Sequence, residues 1–353
     1  MILALVGCWY HLVPHFGFDY GYQVWLYLCF AFWSADRLAR LVRVAVYNPL
    51  GGSKAILERV GNCDHIVQVT IFPRTTSGFG PAQHSFLYLG GVGKFWESHP
   101  FSVAGWATGK KIPTTPPTGN GNGGSSPPET HEKGFAVLRH AQVRAHGDRP
   151  HIRFLIRAHD GMTSRLRQRI ANSVSAEVSV YTEGPYAGHR ATVAPLLSAD
   201  TIICIAGGIG ITHVLGFLQL FYESVGGGGG INKKGAVRAK RLVLAWSARE
   251  RALIEHVRQN FLRDAHGAEY SFWCTGGSLD GSDKAAAASE GEDLIKTGRM
   301  DIKEVLRSSV EAGYQTAVLV CAPGGMADEV TKQVVRCVRD GFKVELVEEA
   351  FAW

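Results

Sequence analysis

A chain of 353 residues is long enough for two domains with cores of their own. With 46% hydrophobic residues and a net charge of +6, it reads as a mildly basic globular protein. Its Lys and Arg residues are scattered apart from one cluster near residue 40, which excludes a nucleic-acid footprint. Seven cysteines form no C-x-x-C pair, which argues against a zinc ribbon, an iron–sulfur site and a disulfide framework.

The chain opens on apolar residues. Met1–Val13 is too short to cross a hydrocarbon core of roughly 30 Å, which takes about 20 residues, and it lacks the basic start and cleavage site of a signal peptide. Phe16–Ala35 is long enough, has Tyr and Trp near its ends, and is followed by the basic stripe Arg37, Arg40, Arg43 expected on the cytoplasmic side. Residues 1–47 are therefore expected to be a partial transmembrane region in contact with lipid, starting as though a membrane domain preceded it. The body, from residue 55, is then cytosolic. The other reading is a pair of hydrophobic helices packed on the globular part.

From His65 the pattern turns to short strands, expected at 65–72, 84–89, 98–106, 135–143, 152–157 and 178–181. Six strands with turn signals between them suggest a small antiparallel barrel over 55–196. Residues 108–134, rich in Gly, Pro, Ser and Thr, have almost nothing to bury and read as a disordered loop. Two constellations stand out. His99-Pro100-Phe101-Ser102 offers a ring that can stack on a flat cofactor and a hydroxyl that can bond a ring nitrogen, though it also suits an ordinary strand start. Arg157, followed by Gly161-Met162-Thr163, puts an arginine at a strand end before a turn and a helix start, which suits a pyrophosphate or simply a helix capped by Thr163.

In the last third, strands are expected at 201–206, 242–246, 270–274, 317–322 and 343–347, and helices at 211–223, 250–262, 301–311 and 326–340. This alternation means a doubly wound parallel sheet over 200–353. Segments 226–238 and 276–298 read as flexible insertions. Thr201–Ala206 is a buried strand, and Gly207, Gly208 and Gly210 then make a tight turn into a helix. Glycines there let backbone N–H groups close on a phosphate, at the positive end of the helix. The spacing is G-G-x-G rather than the dinucleotide fingerprint, and an ordinary strand-to-helix turn would look the same.

Taken in order, the motifs resemble the ferric reductase and NADPH oxidase family, and among its members the fungal ferric-chelate reductases. They are Gly80-Pro-Ala-Gln-His84, His99-Pro-Phe-Ser102, Ile156-Arg157 with Gly161-Met-Thr163, Glu183-Gly-Pro-Tyr186, Ala206–Thr212, Trp246-Ser-Ala-Arg249, Cys321-Ala-Pro-Gly-Gly-Met326 and Phe351-Ala-Trp353. Departures are small: Ala187 precedes Gly188 where the family usually reads G-P-Y-G, and Ala322 takes a common glycine position.

The resemblance implies FAD held by His99, Pro100, Phe101 and Ser102, with Arg157, Gly161, Met162 and Thr163 at its pyrophosphate. It implies NADPH on Gly207, Gly208, Gly210 and Thr212, with Arg249 at the 2′-phosphate. Cys321 would lie by the nicotinamide, and Trp353 over the flavin. The implied reaction is hydride transfer from NADPH to FAD, then single electrons through membrane haem b to ferric chelates, in the plasma membrane with both cofactor domains cytosolic. His11 resembles one haem ligand whose partners would precede Met1, so this chain alone is not expected to hold the haem pair. A superoxide-producing NADPH oxidase and an inactive or regulatory fragment are the alternatives. Iron chelate and oligomeric state are not readable.

Overall fold

A computed structural model describes residues 2–16, 21–74, 78–94, 96–107, 149–188, 190–225, 237–276 and 295–349. The expected strand 135–143, the loop 108–134 and Trp353 lie outside them.

The first sheet contains β1 (Ser53–Val60), β2 (Cys63–Phe72), β3 (Gln83–Leu89), β4 (His99–Ser102), β5 (Gly105–Ala107), β6 (His151–Arg157) and β7 (Ser175–Ala187). Its order is β4-β3-β7-β1-β2-β6-β5, and every pairing is antiparallel. The segment from β4 to β5 pairs with opposite edges of the sheet. Val103 N–H donates to the Gln83 carbonyl (2.9 Å) and Ala104 N–H to the Arg153 carbonyl (2.8 Å), which curls the sheet into a barrel. Leu57, Val69, Ile71, Leu87, Phe154 and Ile156 fill its interior.

β1 is absent from the sequence reading. Its residues SKAILERV include good helix formers, but Ala55 and Leu57 point inward at alternating positions, and pairing with both β2 and β7 decides the conformation. The expected strand 98–106 is in fact β4 and β5, split where the chain changes partners.

The second sheet contains β8 (Thr201–Gly207), β9 (Arg241–Ala248), β10 (Ala268–Cys274), β11 (Ile295–Thr297), β12 (Gln315–Cys321) and β13 (Lys343–Glu348). All are parallel, in the order β11-β10-β9-β8-β12-β13. Antiparallel barrel and doubly wound sheet are the fold class expected. Ile202, Cys204 and Ala206 face one side of the sheet, and Ile203 and Ile205 the other, so both faces are packed. β11 corrects the reading of 276–298 as an insertion throughout, since Ile295 is buried beside Phe272. Val237 is likewise buried and its N–H bonds the Ser224 hydroxyl, so the end of 226–238 is packed too.

Helix Ile211–Val225 ties the two sheets together. A Cβ at Gly216 would lie 3.0 Å from Pro81 Cα, so glycine lets the helix approach the barrel closely here. Gln219 accepts from the Trp106 N–H (3.2 Å) and donates to the Trp106 carbonyl (2.8 Å). The apolar core runs unbroken across the junction, from Val60, Ile66 and Leu155 to Val214 and Leu218.

At the N-terminus, α1 (Ile2–Phe16) and α2 (Tyr22–Tyr47) are helices. No helix among the described residues is long and apolar enough to cross a membrane. The apolar residues expected over 16–35 belong to α2 only from Tyr22, and that helix continues through Asp36, Arg37, Arg40 and Arg43. Arg40 and Arg43 turn towards the barrel: Arg40 Nε donates to Glu183 Oε2 (2.9 Å), and Arg43 lies over the Tyr186 ring.

Candidate functional site

In an open parallel sheet, ligands bind beyond the carboxyl ends of the strands where the strand order reverses. Here that point lies between β8 and β12. Gly207 ends β8, and Gly208–Gly210 make one 3₁₀ turn before helix Ile211–Val225. The three glycines have different reasons. A Cβ at Gly207 would lie 2.6 Å from Pro323 Cδ, and one at Gly210 would collide with the Cys321 carbonyl oxygen. Both permit close packing of the two strand ends. Gly208 alone has a positive φ (55°), and its Cβ direction is open except for Arg157 Nη2 at 4.0 Å. That is the open cradle. The Trp246 indole N–H donates to the Gly208 carbonyl (2.9 Å) and holds the turn.

The structure therefore brings Gly207, Gly208, Gly210, Cys321 and Arg157 together. Arg157 ends β6 of the barrel, and its guanidinium makes a two-pronged pair with Glu250, 2.9 Å from each nitrogen to its oxygen. Glu250 escaped the sequence reading. A charge at a helix start is usually solvated, and only the fold carries it to the barrel. Arg249 is exposed at the same sheet edge, after β9. Cys321 is buried, and burial, with Glu349 nearby, pushes its thiol up to about 12. It is a neutral group at physiological pH, not a thiolate. Thr212 is buried, and its hydroxyl bonds the Ile209 carbonyl (3.0 Å), so that oxygen holds the turn.

The second constellation is on β4. Pro100 pairs with Phe86, Phe101 with Ser85 and Ser102 with His84. Phe101 is half-buried against the barrel core, and Ser102, the next residue of the strand, is half-buried too. His99 is exposed, with Nε2 3.7 Å from Glu97 Oε1. The same Glu97 carboxylate pairs with Arg165 and accepts the Lys94 N–H (3.1 Å); a Cβ on Gly161 would lie 3.8 Å from it. The Lys94 N–H first, then Arg165 and His99, hold its pKa below the ordinary carboxylate value against the effect of burial. The Glu97 carboxylate thus sits beside His99, Arg165 and the Gly161 turn. Met162 departs from expectation: its side chain is fully buried in the barrel, so only its backbone faces the turn. Thr163 accepts the His159 N–H (2.9 Å) and donates to the Asp160 carbonyl (3.1 Å), so it ties the preceding turn rather than capping helix Met162–Arg169, whose cap is Gly161 with no side-chain bond.

His11 lies on α1 with its ring centroid 5.0 Å from that of His15. α2 carries no histidine. Two histidines on one helix do not fit a clamp between facing helices, and the described residues contain no cluster of three or more metal-ligating side chains.

Residues 199–335 match the family model described as the ferric reductase NAD binding domain. Ferric reductase transmembrane component 5 of Saccharomyces cerevisiae is 24% identical over 367 residues, covering 98% of this chain and 44% of that protein. Component 3 of the same yeast is 37% identical over 102 residues, covering 29% of this chain and 13% of that protein. A ferredoxin NADP+ reductase from Neisseria gonorrhoeae, whose structure holds FAD and NADP, aligns with a TM-score of 0.50 at 10% identity over 84% of this chain and 97% of that one. That likeness concerns the fold alone. The chain spans less than half the length of curated relatives that it matches end to end. The resemblance read from the motifs is borne out: the chain is similar to fungal ferric reductases, and its two-sheet fold is like that of the ferredoxin NADP+ reductase.

Proposed function

We propose that this chain is the NADPH- and FAD-binding half of a ferric-chelate reductase of the plasma membrane, with both cofactor domains cytosolic. The observation that carries the reading is the meeting of Arg157 from the barrel with the Gly208 turn and Cys321 at the switch point of the parallel sheet. A bound flavin supplies hydride acceptance from the nicotinamide and release of electrons one at a time.

The protein's part is positioning. Phe101 offers a ring to stack on the flavin, and Ser102 a hydroxyl to its ring nitrogens. Arg157 and the Gly161–Thr163 turn take the diphosphate, beside His99. Backbone N–H groups at Gly208 and Gly210 take the nicotinamide dinucleotide's phosphates. Arg249, exposed and forked, suits a 2′-phosphate and so favours NADPH. Cys321 presents a protonated thiol that packs at the nicotinamide without acting as a base. The histidines of α1 do not supply a haem clamp, and no step is assigned to them.

The test is the absorption spectrum of the purified full chain before and after anaerobic NADPH. A flavin spectrum that bleaches supports the reading. A colourless protein that takes up no added FAD sinks it.

A further inference from the structure

Glu250 flanks helix Arg251–Asn260 at its N-terminus, where a carboxylate would ordinarily accept that helix's own free N–H groups. It makes no such bond. Instead both its oxygens cross to the barrel and take both terminal nitrogens of Arg157, each at 2.9 Å. The pair is largely shielded, with side-chain exposures of 23% and 20%. The same Arg157 Nη2 faces the open side of Gly208. Arg249 and Arg251 flank Glu250, but Arg251 turns to Glu255 (2.9 Å) and Arg249 is exposed, so the carboxylate is committed to the arginine of the other sheet.

We infer that Glu250 is a positioning residue that competes with a diphosphate for Arg157, and so lowers the chain's affinity for FAD. A guanidinium presents its donors in a fixed fork, and the two-pronged carboxylate takes its Nη1/Nη2 edge, which leaves a diphosphate only the Nε side. A diphosphate arriving at Arg157 must break or share this pair, and it meets a fixed negative charge there. Because Glu250 belongs to the nicotinamide-side domain and Arg157 to the barrel, the same pair latches the two together. The inference rests on the flavin reading only for the identity of the diphosphate.

The experiment titrates FAD and, separately, inorganic pyrophosphate into the full chain as wild type, E250Q, R157Q and the double variant, with near-UV circular dichroism confirming the fold of each. E250Q removes the charge and one acceptor while keeping the shape. It is expected to tighten FAD about fivefold, equivalent to about 1 kcal/mol. Pyrophosphate is expected to tighten likewise, and neither gain should survive in the R157Q background. Weaker or unchanged binding of both probes in E250Q overturns the proposal, as does an equal gain without Arg157. Pyrophosphate tightened by E250Q in a chain that takes up no FAD would keep Glu250's role and strike the flavin reading alone.

Discussion

Glu183 anchors α2 to the barrel through Arg40, and E183Q is the perturbation that tests it. Its side chain is 3% exposed and accepts three hydrogen bonds: from Arg40 Nε (2.9 Å) and Tyr88 OH (3.0 Å) on one oxygen, and from Tyr186 OH (2.7 Å) on the other. Burial, the largest influence, would raise its pKa. The bonds from Tyr186 and Arg40 outweigh it and hold the group ionised below the ordinary carboxylate value. An amide keeps one acceptor oxygen and puts a donor against donors at the other position. Breaking a buried pair costs about 3–5 kcal/mol, but Arg40 is 29% exposed and can regain water, so about 2–3 kcal/mol is expected.

The assay is urea unfolding of the full chain in detergent, followed by tryptophan fluorescence, for wild type, E183Q, R40Q and the double variant. A coupling of about 1–2 kcal/mol is expected from the cycle. The sign with pH follows from the lowered folded pKa. The contribution is complete above the unfolded-state value of Glu, is lost as pH falls through the folded value, and is absent in E183Q. A loss under about 0.5 kcal/mol, or additive single variants, would refute the claim that this carboxylate holds α2 to the barrel.

Three further outcomes follow from the same geometry. G210A places a methyl against the Cys321 carbonyl and should cost more than about 2 kcal/mol by thermal unfolding, whereas G208A meets only the movable tip of Arg157 and should cost about 1 kcal/mol for its positive φ. R249A should weaken 2′-phospho-AMP about tenfold while leaving AMP within about twofold, read by calorimetry; equal losses for both would remove the 2′-phosphate role. His256 Nε2 donates to Gln68 Oε1 (2.9 Å) across the domain junction, and burial, with Arg153 beside it, pulls its pKa from 6.5 to about 4. The folded state resists that proton, so stability should fall as pH drops from 6.5 towards 4, and H256Q should flatten this limb of the pH–stability curve.

Much of this molecule is written locally. The alternation of strand and helix after Thr201, the buried runs of β8 and β12, and the glycines between them follow from side-chain period and from the backbone freedom of glycine. The fold class and the neighbourhood of the candidate site were therefore legible. What stayed hidden depends on partners distant in sequence. β1 has a helix former's composition and becomes a strand because two neighbours pair with it. Ile295–Thr297 lies after a loop-like run and is a strand because β10 offers an open edge. Met162 sits within a motif yet points into the barrel, since Gly93 leaves room for its sulfur. Arg40 reads as part of a basic stripe, Glu97 and Glu250 carry no signal of their own, and each gains its meaning from a group dozens of residues away. Periodicity records which face of an element is buried, but a charge's partner is decided only when two surfaces meet. Sequence therefore determined most strands and helices and the glycine turn, while tertiary structure decided β1, β11 and which charges answer one another at the junction.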